Sequence, residues 1–192
     1  LDQLITGSQD PELNVFYGPG GGAEYLYLNW AKPPFDDHRM REAVVRSIDP
    51  VALSRSQYQG AMVPADSIFP PDSPYYSAEA GALWPKYDVE KAKQLIESYR
   101  SDGGTVDFAI ELPNSPTRVL FGQFIQAQFA AVGINAALNF HDLANFSATV
   151  IARGDFQMSS TVTGPWSNPY PNVSVLLHSA GYRNYGKYNN PK

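Results

Sequence analysis

The chain has 192 residues, enough for one domain or one lobe of a larger protein, and with 43% hydrophobic residues it can bury a core. A formal net charge of −5, with no local gathering of Lys and Arg, argues against nucleic acid and against electrostatic attachment to an anionic membrane. The absence of cysteine removes disulfides, thiolate catalysis and cysteine zinc sites, and no apolar run has the length needed to span a bilayer.

Leu13–Tyr17 (LNVFY) and Glu24–Trp30 (EYLYLNW) have the composition of strands, with the GPGGG of Gly18–Gly22 as the turn between them. No Lys-Ser or Lys-Thr follows those glycines and no helix opens after them, so they do not form a phosphate loop. Pro33 and Pro34 lead into a helix for which Asp36 or Asp37 is the N-cap. Met40, Ala43, Val44 and Ile48 recur along it at helical spacing. Asp49 stops that helix, and Pro50 suits the first position of a second one that ends at Gly60. Residues 61–87 hold five prolines and little periodicity. A loop of that length in a compact domain is functional or wraps a surface.

Asp88 then caps a helix with Ala92, Leu95, Ile96 and Tyr99 on one face, ended by Gly103 and Gly104. Val106, Phe108, Ile110 and Leu112 alternate as in a half-buried strand. Thr117–Val132 is a broadly apolar helix carrying Leu120, Phe124, Ala127 and Ala131, and Ile134, Ala136, Leu138 and Phe140 alternate again. Strand, helix and strand with short links form a βαβ unit with parallel strands. A helix over Asp142–Arg153, stopped by Gly154, and a strand over Phe156–Val162 complete an α/β pattern.

Chemistry-bearing patterns are few. The sequence has no Gly-x-Ser-x-Gly elbow and no His-Glu-x-x-His, so no enzymatic activity is expected. His38, His141 and His178 lie far apart without a second ligand at helical or strand spacing. Surface or capping roles are expected for them, with no metal and no cofactor. The strongest functional window is Ser159–Asn172, SSTVTGPWSNPYPN, which follows a strand and carries flat aromatics among hydroxyls and amides. In α/β folds ligands bind beyond the carboxyl ends of strands. Thr161, Thr163, Trp166, Ser167, Asn168 and Tyr170 are therefore the expected ligand-binding residues.

Several stretches, in order, resemble one family. LNWAKPPFDDHRMREAVVRSID, YDVEKAKQLIES, AQFAAVGINAALN, RGDFQMSS, NPYPN and YGKYNNP together cover roughly residues 24–192. They are similar to the C-terminal lobe of family 5 extracellular solute-binding proteins, the dipeptide-, oligopeptide- and nickel-binding receptors of ABC importers. The resemblance implies a periplasmic-binding-protein-like α/β lobe with a mixed β-sheet flanked by helices. It implies that residues 1–192 are a single lobe of a two-lobe receptor, truncated at both ends, whose missing lobe supplies the opposite pocket wall.

Further expectations follow from the resemblance. The partners would be a small-molecule or peptide solute and an ABC permease, with no nucleic acid. The protein would be a monomer, extracytoplasmic, and lipid- or membrane-anchored through a missing N-terminal segment. The resemblance also implies that the Ser159–Asn172 loop carries pocket residues. Peptide-binding relatives place an Asp three to four residues before its second proline, where it pairs with the peptide's free amine. Here Ser167 and Asn168 stand instead, so a charge-assisted bond of about 1.5–3 kcal/mol to an ammonium is missing. The expected solute is an oligopeptide or a peptide-like polar molecule. The alternatives are a sugar-binding member of the family or a surface sensor or adhesion module without transport. A second departure, Pro50 where the family has Arg or Lys, falls at an expected surface position.

Overall fold

The computed structural model describes residues 6–7, 9–15, 23–163 and 170–189. Four strands within them form one sheet: β1 (Ala23–Leu28), β2 (Asp107–Pro113), β3 (Asn135–His141) and β4 (Met158–Thr163). Their spatial order is β1-β4-β2-β3. β2 runs parallel to both β3 and β4, and β1 runs antiparallel to β4. The sheet is therefore mixed and flanked by helices, as the sequence implies. Between the strands lie α1 (His38–Ser47), α2 (Pro50–Tyr58), α3 (Ala78–Ala82), α4 (Val89–Ser101) and α5 (Pro116–Ala131). A short α6 (Leu143–Asn145) continues as a π-helical segment (Phe146–Ile151), and α7 (Asn172–Leu177) follows β4.

Local chemistry sets the helix ends. The Asp37 carboxylate accepts from the Arg39 amide at 2.7 Å, so Asp37, not Asp36, is the cap of α1. Asp49 accepts from the amides of Val51 and Ala52, with Pro50 in the first turn of α2. Gln59 and Gly60 then end α2 with positive φ. Asp88, Ser115 and Asp142 cap α4, α5 and α6 in the same way. The Pro33–Pro34 loop is held by Arg41, which donates to the Phe35 carbonyl at 2.8 Å and lies 3.7 Å over the Trp30 ring. These residues are scaffold.

Helices α1, α4 and α5 pack on one face of the sheet. Phe108 of β2 sits edge-on between Phe35 and Phe129, with ring centroids 4.8 and 5.7 Å away. Ile110, Leu112, Met158, Met40 and Ile96 close the core around them. The opposite face carries a smaller cluster, in which Phe146, Val150 and Phe156 pack with Tyr27, Ile151 and Tyr185.

The buried face of α5 is Phe121, Gly122, Ile125 and Phe129, and of the other apolar residues it carries Leu120 is 54% exposed. A helix apolar all round does not fix its own phase. Contact with β2 does, because Gly122 lies against Leu112: a Cβ there would stand 2.7 Å from Leu112 Cδ1. Residues 13–15 form no strand, and the rest of the expected first strand and its glycine turn lie outside the described residues. The second expected strand stops at Leu28. There the buried Asn29 side chain donates to the carbonyls of Gly154 and Phe156 at 3.1 and 2.9 Å, and its amide donates to the Gln157 carbonyl just before β4. The expected Asp142–Arg153 helix is only briefly α-helical before it widens into the π segment.

Two outcomes test this packing. Phe129→Ala should cost about 3–5 kcal/mol in urea unfolding, whereas Leu120→Ala should cost less than about 0.5 kcal/mol. Equal costs would contradict this phase of α5. Hydrogen bonds from Arg39 hold the Asp37 carboxyl below the usual carboxylate range. A depressed acid stabilises the fold above its ordinary pKa and loses that contribution as pH falls through the depressed value. Asp37→Asn keeps a capping oxygen but removes the charge. It should be about 1 kcal/mol less stable than the native chain near pH 7, and the gap should close as pH falls through the depressed value.

Candidate functional site

The parallel strands β2, β3 and β4 all end on one edge of the sheet, where the peptide groups stop pairing and a ligand can approach. β4 lies inside the sheet, so its carboxyl end is central to that edge. Thr161 pairs with Tyr25 of β1, and Thr163, the last residue of β4, pairs with Ala23. Trp166, Ser167 and Asn168 lie outside the described residues. The chain is described again from Tyr170, which is 76% exposed, and enters α7 at Asn172. The structure thus brings Thr161 and Thr163 to the expected edge.

Two polar groupings near that edge carry no sequence motif. The first joins β1, β4 and α5. The Arg118 guanidinium lies 2.5 Å from the Glu24 carboxylate and 3.2 Å from the Ser160 hydroxyl, and Ser160 donates to the same carboxylate. Only 10% of the Glu24 side chain and 15% of Arg118 remain exposed, so these charges depend on each other. Burial first, and then the Glu24 charge, raise the Tyr58 phenol above its usual range. Glu24 and Arg118 are 94 residues apart, and nothing local in the sequence links them.

The second grouping lies on the opposite sheet face. Glu111 of β2 and Asn139 of β3 are register partners, and His141 lies two residues beyond Asn139. His141 Nε2 is 2.5 Å from Glu111 Oε2, and Asn139 Nδ2 donates to Glu111 Oε1 at 2.9 Å. The expected surface or capping role of His141 is therefore replaced by a partly buried cross-strand pair. Polar residues at alternating positions of two strands were the available signal, but only the register shows that they meet. Ser159 donates its hydroxyl to the Glu111 carbonyl at 2.8 Å, tying β4 to β2. On the same face burial is the main cause that pushes the Tyr27 phenol up to about 12, with Tyr185 edge-on to it at 5.9 Å.

His38 lies 3.9 Å from Glu42 on α1, and His178 accepts from the Ala180 amide. Among the described residues no three His, Cys, Asp or Glu side chains converge on a possible metal. Among the described residues Thr161 and Thr163 of β4 lie at the strand edge, and Tyr170 is exposed where the described chain resumes.

A profile of the family described as "Bacterial extracellular solute-binding proteins, family 5 Middle" matches residues 1–184. The chain belongs to this family. Among its relatives, the dipeptide-binding protein of Escherichia coli (strain K12) is 32% identical over 134 residues, 68% of this chain and 25% of that protein. The glutathione-binding protein GsiB of Salmonella choleraesuis (strain SC-B67) is 29% identical over 153 residues, 80% of this chain and 29% of that protein. The family 5 chain therefore spans between a quarter and a third of the length of these two relatives.

Solved structures share the fold. DppA from Helicobacter pylori in complex with peptide STSA superposes with a TM-score of 0.85 at 22% identity, covering 100% of this chain and 38% of that one. AppA from Bacillus subtilis in complex with a nonapeptide gives 0.83 at 19% identity, covering 99% and 40%. NikZ from Campylobacter jejuni in complex with Ni(L-His) gives 0.80 at 16% identity, covering 100% and 41%.

The Glu24–Arg118 pair gives a test of how this family 5 chain fixes its strand edge. Arg118→Met leaves a buried carboxylate without its cation and should destabilise by about 3 kcal/mol in urea unfolding. Adding Glu24→Leu to it should restore most of that loss. Additive losses in the double variant would show that the two charges do not depend on each other.

Proposed function

We propose that this chain is the ligand-capture lobe of an extracytoplasmic receptor that delivers an oligopeptide or a peptide-like polar solute to an ABC permease. The observation that carries the reading is the position of the β4 carboxyl end. Thr161 and Thr163 stand at the centre of the edge where three parallel strands finish, and the chain runs from there into a loop of aromatic, hydroxyl and amide residues. Relatives named for dipeptides and glutathione, and fold neighbours solved with peptides, support a peptide-like solute.

In this reading residues 1–192 form one lobe and a second lobe closes the pocket from the other side. Closure raises affinity by burying the solute, and release follows opening. The receptor acts as a monomer, reaches the membrane through an N-terminal anchor outside this chain, and carries out no covalent step. Ser167 and Asn168 offer neutral hydrogen-bonding groups, which favour a solute whose recognition does not depend on a free ammonium.

Mass spectrometry of small molecules co-purifying with the full-length receptor would identify the solute, and a sugar there would replace the peptide reading. Trp166→Ala in that receptor should then weaken solute binding by about 1–3 kcal/mol, the scale of one buried aromatic contact. Thr161→Val should weaken it by about 1 kcal/mol. Both variants should leave the melting temperature of the unliganded receptor nearly unchanged. Lost stability with intact affinity would refute the assignment of these residues to the pocket.

A further inference from the structure

A separate cleft of about 590 Å3 opens on the sheet face opposite α1, α4 and α5. Glu111, Asn139 and His141 from β2 and β3 lie on one side of it, and Thr149 and Val150 of the π-helical segment on another. Pro33, Phe156 and the Lys32–Asp155 ion pair complete its wall. Its size falls within the usual range for small-molecule sites. We infer that this cleft binds a small organic cation of amino-acid size, with an ammonium or guanidinium group on Glu111 and its aliphatic part against Pro33, Val150 and Phe156.

Three observations carry this. First, Glu111 is an acidic side chain and largely buried, and its side-chain partners are an amide and an imidazole, with no Lys or Arg among them. A carboxylate has about four acceptor positions, and these contacts use two, which leaves capacity for further donors from a ligand in the cleft. Second, the remaining charges in the wall offset each other. Lys32 Nζ is 2.8 Å from Asp155, where it depresses the Asp155 carboxyl, so Glu111 is the carboxylate of the described lining that has an imidazole and an amide, and no Lys or Arg, beside it. Third, the wall is built on a π-helical segment, a backbone form that is rare and is found frequently at functional sites. Thr149 donates to the Asn145 carbonyl at 2.6 Å, and Asn145 Nδ2 lies 3.4 Å from His141 Nδ1, so the segment is tied back to the imidazole that orients Glu111.

Among the described residues the cleft takes none from the Thr161–Tyr170 window, and the Trp166→Ala control distinguishes this inference from the proposed solute site. Calorimetry with L-arginine on the full-length receptor tests it. L-Arginine should bind, and Trp166→Ala should leave that binding unchanged. Glu111→Gln should weaken it tenfold or more, the loss expected for one charge-assisted bond. L-Citrulline, which has the same stem with a neutral head, should bind at least tenfold more weakly. Asn139→Trp, at an exposed position of β3, should block the cleft without touching the core and decides the matter if Glu111→Gln does not fold. The inference is overturned by L-arginine binding weaker than about 1 mM, by equal binding of citrulline, or by binding that survives both cleft variants.

Discussion

The pairing of β2 on both of its edges is the constraint on which the other elements depend. β2 is parallel to β3 on one side and, over Ile110 and Glu111, to β4 on the other, so it lies inside the sheet and both of its faces must be covered. On one face Phe108, Ile110 and Leu112 receive α5, and Phe108 also meets Phe35 from the loop before α1. On the other, Glu111 meets His141 and Asn139, while the amide of Ala109 donates to the Gln157 side chain. Because β4 enters between β1 and β2, the late segment of the chain becomes the middle of the sheet, and its carboxyl end becomes the centre of the strand edge.

The two faces then divide their tasks by polarity. The helical face is apolar except near the strand edge, where Glu24, Arg118 and Ser160 form a compact neutral group. Such a pair contributes little net stability compared with an apolar replacement, but neither charge can be removed alone without cost. Its consequence is positional, since it joins the start of β1, the middle of β4 and the first turn of α5. The opposite face keeps polar groups at alternating positions, and a second small core of Phe146, Val150 and Phe156 covers only part of it. What remains uncovered is the cleft beside Glu111.

On the proposed reading this chain works by holding a molecule. Hydroxyl and amide contacts to a solute at the strand edge would then be directional but modest, each on the order of 1 kcal/mol. Many such contacts distributed over a pocket allow a closed state to be favoured and still to reopen. A single strong anchor would raise affinity at the expense of release. The neutral Ser167–Asn168 pair fits that distribution.

The sequence by itself determined what is local. An Asp at 36 or 37 and Asp88 cap the helices they precede, Pro50 opens α2, and the β2–α5–β3 unit follows from two alternating strands around an apolar helix. The order of its motifs also led to the family. Each of these signals lies within a few residues of the structure it specifies, so short-range sterics and hydrogen bonding suffice. The tertiary structure alone decided the insertion of β4 between β1 and β2, the phase of α5, the early end of β1 at Asn29, and the π-helical form of residues 146–151. It also decided that Glu24 meets Arg118 and that Glu111 meets His141, across 94 and 30 residues. Those outcomes depend on strand register and on which faces press together, and both are fixed only when distant segments compete for the same partners in the folded chain.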